Sequence, residues 1–328
     1  MKIKKKLIIL ISVLIAYGLL QGLIALGIVD NYFRRILVSI GINIIIALSL
    51  NLIVGITGQL SMGHAAFMSI GAYASAVSSV ALHTPLVVSL LIGCIVSGII
   101  AAIVGYPILR LKGGYFSMCT LGFGEIVKVA FQNIDSLGGA RGYTGIPASV
   151  NLTFVFFSVV IVFLIVTNLV NSSFGRTLRS VKDNEIATEA MGNKAQNYKM
   201  LGFITGSIIV AFAGGLYAHY ITYIEPAMFN YSKSTEFLTF IVLGGIGSNT
   251  GSIIGSTILT LIPEVLRNIS SELNELRMFI YGVIIIIMMI FRPQGLLGTN
   301  ELTIAGIKRF IIKVKSRFAG KNKIQKEV

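Results

Sequence analysis

Apolar residues run through this chain in blocks of membrane-spanning length, separated by short polar segments. Residues 7–29 carry no charge over 23 positions, and a helix needs about 20 apolar residues to cross a ~30 Å hydrocarbon core. Further spans are expected at about 36–56, 62–82, 86–109, 149–170, 200–224 and 276–291. Three weaker candidates, at about 113–131, 234–247 and 251–267, are short, rich in glycine or carry a charge. The expected architecture is an all-α polytopic membrane protein of about ten transmembrane helices, some short or interrupted by glycine.

Two of the apolar blocks are interrupted in a similar way. Residues 53–63 read IVGITGQLSMG and residues 241–256 read IVLGGIGSNTGSIIGS, each running Ile-Val into glycines and then polar residues. Small residues let helices approach closely in lipid, and that alone accounts for many such positions. A broken helix at membrane depth is tolerated only where its freed backbone groups are buried in protein or face a watery cavity. Paired interrupted segments in the two halves of a transporter mark a pathway near the midplane. The candidate pathway residues are therefore Gln59, Ser61, Gly63 and His64 in the first stretch, with Gly245, Gly247 and Ser248 in the second.

Composition agrees with a bilayer setting: 55% of residues are hydrophobic and 12% charged, with a mean hydropathy of +0.85. The basic start MKIKKK followed by an apolar run also describes a secretory signal. The run exceeds the usual 7–15 residues of such a signal, so a retained anchor is expected. With all ten candidates crossing and the N-terminus inside, 20 of the 27 Lys and Arg residues fall on the cytoplasmic side and six outside, as basic residues in short loops should. Both termini are then cytoplasmic. Residues 1–298 form the membrane domain and 299–328 a basic tail, which suits anionic lipid headgroups. The net charge of +14 needs no nucleic acid to explain it.

Little in the chain suggests bond-making chemistry. Cys94 and Cys119 lie inside expected spans and give no disulfide framework. His64, His83 and His219 fall in separate segments without an H-E-x-x-H pattern, and no metal-ligand spacing or cofactor motif is seen. A nucleotide-binding G-x-x-x-x-G-K-[ST] loop is missing from the sequence, so any ATP-derived energy comes from another subunit. The ionisable residues inside expected spans are Glu125, Lys128 and, near one end, Glu264. Glu125 and Lys128 stand three apart and can neutralise each other on a helix. An ion-coupled carrier and an intramembrane enzyme are the competing classes.

The longest polar segment between spans, residues 171–199, contains DNEIATEAMG, which reads as a short helix. Asp183 or Asn184 is available as its N-cap and Gly192 as its stop. Here RSVKDNEIATEAMGNKAQNYKMLGFITGSIIVAFAGGLYAHYITYIEPAMF resembles the cytoplasmic coupling loop and following helix of LivM-type permeases, the membrane subunits of branched-chain amino acid ABC importers. NLIVGITGQLSMGHAAFMSIGAY, LRLKGGYFSMCTLGFGEIV, GGARGYTGIP, FIVLGGIGSNTGSIIG and FRPQGLLG resemble further blocks of that family, in family order, from about residue 45 to 298.

The resemblance implies an ABC importer permease fold that works by alternating access. It also implies four other subunits: a related second permease, two cytoplasmic ATP-binding subunits, and an extracellular or periplasmic substrate-binding protein. Asp183, Glu185, Ala187, Glu189 and Gly192 would then lie in the segment that rests on an ATPase. One departure is Lys194 after Gly192-Asn193, where the family commonly has a hydrophobic residue after that pair or in place of the Asn. Branched-chain amino acids as cargo follow from the resemblance alone, and related permeases carry urea or short amides.

Overall fold

A computed structural model describes residues 30–111 and 113–269, together with 17, 18, 21, 22, 282, 283, 286, 290, 291 and 295–298. Most of the expected spans at 7–29 and 276–291, and all of the tail from 299, lie outside the described residues. The described chain is helical and has no strand. Two loops meet in a single antiparallel bridge between Tyr143 and Ile224.

The helices are α1 (Asn31–Leu50), α2 (His64–Ala81), α3 (Leu86–Ile108), α4 (Gly114–Gln132), α5 (Leu152–Asn171), α6 (Ser173–Asp183), α7 (Glu185–Ala190), α8 (Ala195–Ile221), α9 (Tyr231–Gly244) and α10 (Asn249–Ile269). A π-helical turn, Asn51–Ile56, extends α1. Among the described residues, four segments are long and apolar enough to cross a membrane: Asn31–Ile56, Leu86–Ile108, Leu152–Asn171 and Ala195–Ile221. The weak candidates 113–131 and 251–267 fall on α4 and α10, while 234–247 is helical only to Gly244. α9, with 14 residues, spans only about 21 Å at 1.5 Å per residue.

Burial separates the centre of the bundle from its rim. The apolar window of α1 is 78% buried and that of α5 only 28%, so α1 lies inside and α5 at the edge. α8 packs along α2, α3 and α1. Its approach to α2 is close enough that a Cβ on Gly71 would strike the Ala211 backbone, and one on Gly214 the Met68 carbonyl. Only small residues permit this contact, the usual means of tight helix association in lipid. On α3, by contrast, Val87, Leu91, Ile95, Ile99 and Ile103 recur every fourth residue, and all are exposed. That spacing makes one apolar stripe, fit for lipid tails.

Buried polar side chains pair between helices. His219 Nδ1 lies 3.2 Å from the Pro147 carbonyl, so it donates there, and Nε2 accepts from Ser75 Oγ at 3.0 Å. Within α4, the partly exposed Glu125 and Lys128 form a 2.7 Å ion pair, and Glu264 of α10 accepts a hydrogen bond from Tyr32 of α1.

Candidate functional site

The end of α1 is where the membrane helix gives way. Asn51 lies in a largely apolar run and is fully buried, so its amide must find partners inside the protein. Its Nδ2 donates to Asn249 Oδ1 at 3.0 Å, and its Oδ1 accepts from the Gly247 N–H at 2.8 Å. One side chain thus joins the two interrupted stretches, almost two hundred residues apart.

The backbones themselves touch. A Cβ on Gly55 would lie 2.6 Å from the Gly247 nitrogen. Gly245 and Gly247 have φ of 117° and 95°, the region that glycine enters without strain. Ser248 is buried, and its Oγ accepts from the Gly251 N–H at 3.0 Å, capping α10. Residues 296 and 297 return to this point, their N–H groups donating to the Leu243 and Gly244 carbonyls at 2.8 and 3.2 Å.

Between the π-turn and α2 the chain runs without helix through residues 57–63. α4 supplies partners for its backbone: Ser117 Oγ donates to the Leu60 carbonyl at 2.6 Å, and the Met62 N–H donates to Thr120 Oγ1 at 3.0 Å. Gly63 sits so close that a Cβ there would fall on the Thr120 carbonyl. Gly63 is therefore a helix-contact residue in this structure, with no open space beside it.

His64 opens α2 deep in the bundle. Ser49 Oγ donates its only proton to the Gly206 carbonyl at 2.6 Å, so His64 Nε2, 3.0 Å away, must donate to Ser49. Gly206 lies about 16 Å along α8 from its first residue. The lone pair left on His64 Nδ1 has no partner among the described residues, and neither do Gln59 Oε1 and Ser61 Oγ. Buried polar atoms are usually satisfied. Three such exceptions within six residues mark the break as a place able to accept water or a polar solute.

Gln59 also lines a cavity of about 500 Å³, together with Thr57, Gly58, Phe116 and Ser117 and with Lys182, Asp183 and Glu185. The latter three belong to the polar loop. Within it, Asn184 Oδ1 accepts from the Ala187 N–H at 3.0 Å, which settles the N-cap of α7 on Asn184. At the other end, the Gly192 N–H donates to the Glu189 carbonyl at 2.9 Å and the Asn193 N–H to Thr188 at 3.3 Å, with Gly192 at φ 85°. These two bonds and the left-handed glycine form a Schellman cap.

Glu185 pairs with Lys199 at 2.7 Å, so its carboxylate is tied to α8. Asp183, Ala187 and Glu189 are exposed. Two apolar side chains that the caps and charges did not single out, Ile186 and Met191, are 80% and 82% exposed. Their signal was available, since Ile186 and Met191 are the large apolar residues of DNEIATEAMG.

Helices that pack through glycine, an apolar outer stripe and an apolar helix broken by a polar, glycine-containing stretch define an all-α, multi-pass membrane protein of the transport type. The chain belongs to the family described as "Branched-chain amino acid transport system / permease component", which matches residues 32–289. It is 29% identical to the high-affinity branched-chain amino acid transport system permease protein LivM of Escherichia coli, over 62% of this chain and 56% of that protein. The match to the LivM protein of Salmonella typhimurium spans 55% of its length, so the chain covers little more than half of these two relatives. A probable LivM of Methanocaldococcus jannaschii is 25% identical over 74% of this chain and 79% of its own length. The permease protein LivH of Escherichia coli is 29% identical over 40% of this chain and 42% of its own. No solved structure matches the chain.

Proposed function

We propose that this chain is the membrane-spanning permease subunit of an ATP-binding cassette importer, carrying branched-chain amino acids into the cytoplasm by alternating access. The family match across residues 32–289 carries this reading. The substrate class rests on the names of its relatives. Similarity to both LivM and LivH proteins favours a second, related permease as a partner. Two ATP-binding subunits and an external binding protein complete the proposed assembly.

In this reading about ten helices cross the cell membrane, the domain spans 1–298 and the basic tail 299–328 is cytoplasmic. The pathway runs past the break: Gln59, Ser61 and His64 offer polar contacts, Gly63 holds the break against α4, and Gly245, Gly247 and Ser248 form the opposing turn. The loop 171–199 docks on an ATPase through α7. Asp183 and Glu189 frame the contact face, Glu185 anchors it to α8, and Ala187 and Gly192 shape it. The Glu125–Lys128 pair is internally neutralised, which argues against proton or sodium coupling at that site.

ATP drive requires the loop to be cytoplasmic. In a variant lacking Cys94 and Cys119, Ser180→Cys should resist an impermeant thiol reagent in intact cells, whereas Ser232→Cys should react. Both serines are exposed. Labelling of Ser180→Cys from outside would put α7 on the wrong side and exclude the proposed drive.

A further inference from the structure

Lys182 is the basic residue in the last turn of α6 and lies two positions before the N-cap of α7. Its Nζ reaches 127 residues back along the sequence to donate to the Gly55 carbonyl at 2.7 Å. Gly55 lies in the π-turn at the end of α1, where helix carbonyls lose their own donors and carry partial negative charge. An ammonium group is the natural partner there. The stem of Lys182 also lies over the break, since a Cβ on Gly58 would come within 2.8 Å of its Cγ. On its other side Gly55 rests on the Gly247 turn, which Asn51 holds.

A continuous path of contacts therefore leads from α7 through Lys182 to the π-turn, and from there to the second interrupted stretch. We infer that Lys182 is the positioning residue that carries movement of the α6–α7 unit to the break in α1. With the ammonium bonded, a displacement of α7 shifts the Gly55 carbonyl and the Gly247 turn packed on it. The salt bridge between Glu185 and Lys199 ties the start of α7 to the first turns of α8. This assignment rests on the importer reading proposed above.

The test uses the full complex in proteoliposomes, with Lys182→Met and Lys182→Arg beside the parent, scoring subunit co-purification, ATP hydrolysis and leucine uptake. Lys182→Met should assemble and hydrolyse ATP like the parent while uptake per ATP falls roughly tenfold, the factor carried by one charge-assisted hydrogen bond. Lys182→Arg should recover most of it. Amide exchange over residues 51–59 should rise in Lys182→Met and return in Lys182→Arg. An unchanged transport-to-hydrolysis ratio, or a loss of assembly, hydrolysis and uptake in proportion, overturns the coupling role. Absence of ATP-driven uptake in the parent instead overturns the importer reading beneath it.

Discussion

Replacing Ile186 and Met191 together by aspartate should abolish ATP-driven uptake while leaving the permease inserted and folded. Both side chains are about four-fifths exposed, Ile186 on a six-residue helix held at each end by its own caps and Met191 at its C-cap. They support nothing in the fold, so their removal should not unfold it. Burying each against a partner is worth about 1.5–3 kcal/mol. Losing both therefore weakens ATPase association by roughly a hundredfold or more.

Gly192→Val should act in the same direction and less strongly. Nothing lies within 4 Å of a Cβ at Gly192, so only the left-handed backbone resists, at about 1–2 kcal/mol. Co-purification with the ATP-binding subunits checks both variants. Normal yields and normal uptake would return α7 to a solvated connection.

Gly63→Leu should cost stability, whereas Gly247→Ala should cost transport. Side-chain atoms at Gly63 collide with the α4 backbone at Thr120. Overpacking of this kind costs about 1–3 kcal/mol, and separating α4 also breaks the Met62–Thr120 and Leu60–Ser117 hydrogen bonds. The expected result is a lower melting temperature in detergent and less protein in the membrane. Gly247 has more room, since its hypothetical Cβ meets only the Gly55 carbonyl, at 3.4 Å, but its φ of 95° strains any other residue. Gly247→Ala should therefore insert at parental levels and transport less. Parental melting of Gly63→Leu would mean that the break is not held by α4.

The sequence and the structure part company where contacts are distant. The blocks of apolar residues, the break after Ile56 and the short helix before Gly192 were legible because each is a local matter of composition, capping or glycine. The partners of Asn51 at Gly247 and Asn249 cannot be read from spacing. Lys182 is one of several cations in a charged loop, and only the fold brings it to Gly55. Gly63 stood out in the sequence as a glycine in the break, but its close approach to Thr120 of α4 cannot be read from spacing. Glu185 lay in the expected docking segment, but its link to Lys199 crosses from one helix to another and leaves no local trace.

The central claim is import driven by separate ATPase subunits. Its most direct test places the chain, its partner permease and the ATP-binding subunits in proteoliposomes, with ATP inside and the binding protein with radiolabelled leucine outside. The account predicts that leucine accumulates inside, that accumulation stops without internal ATP or the ATP-binding subunits, and that a proton or sodium gradient does not restore it. Accumulation driven by such a gradient in the absence of those subunits would contradict it.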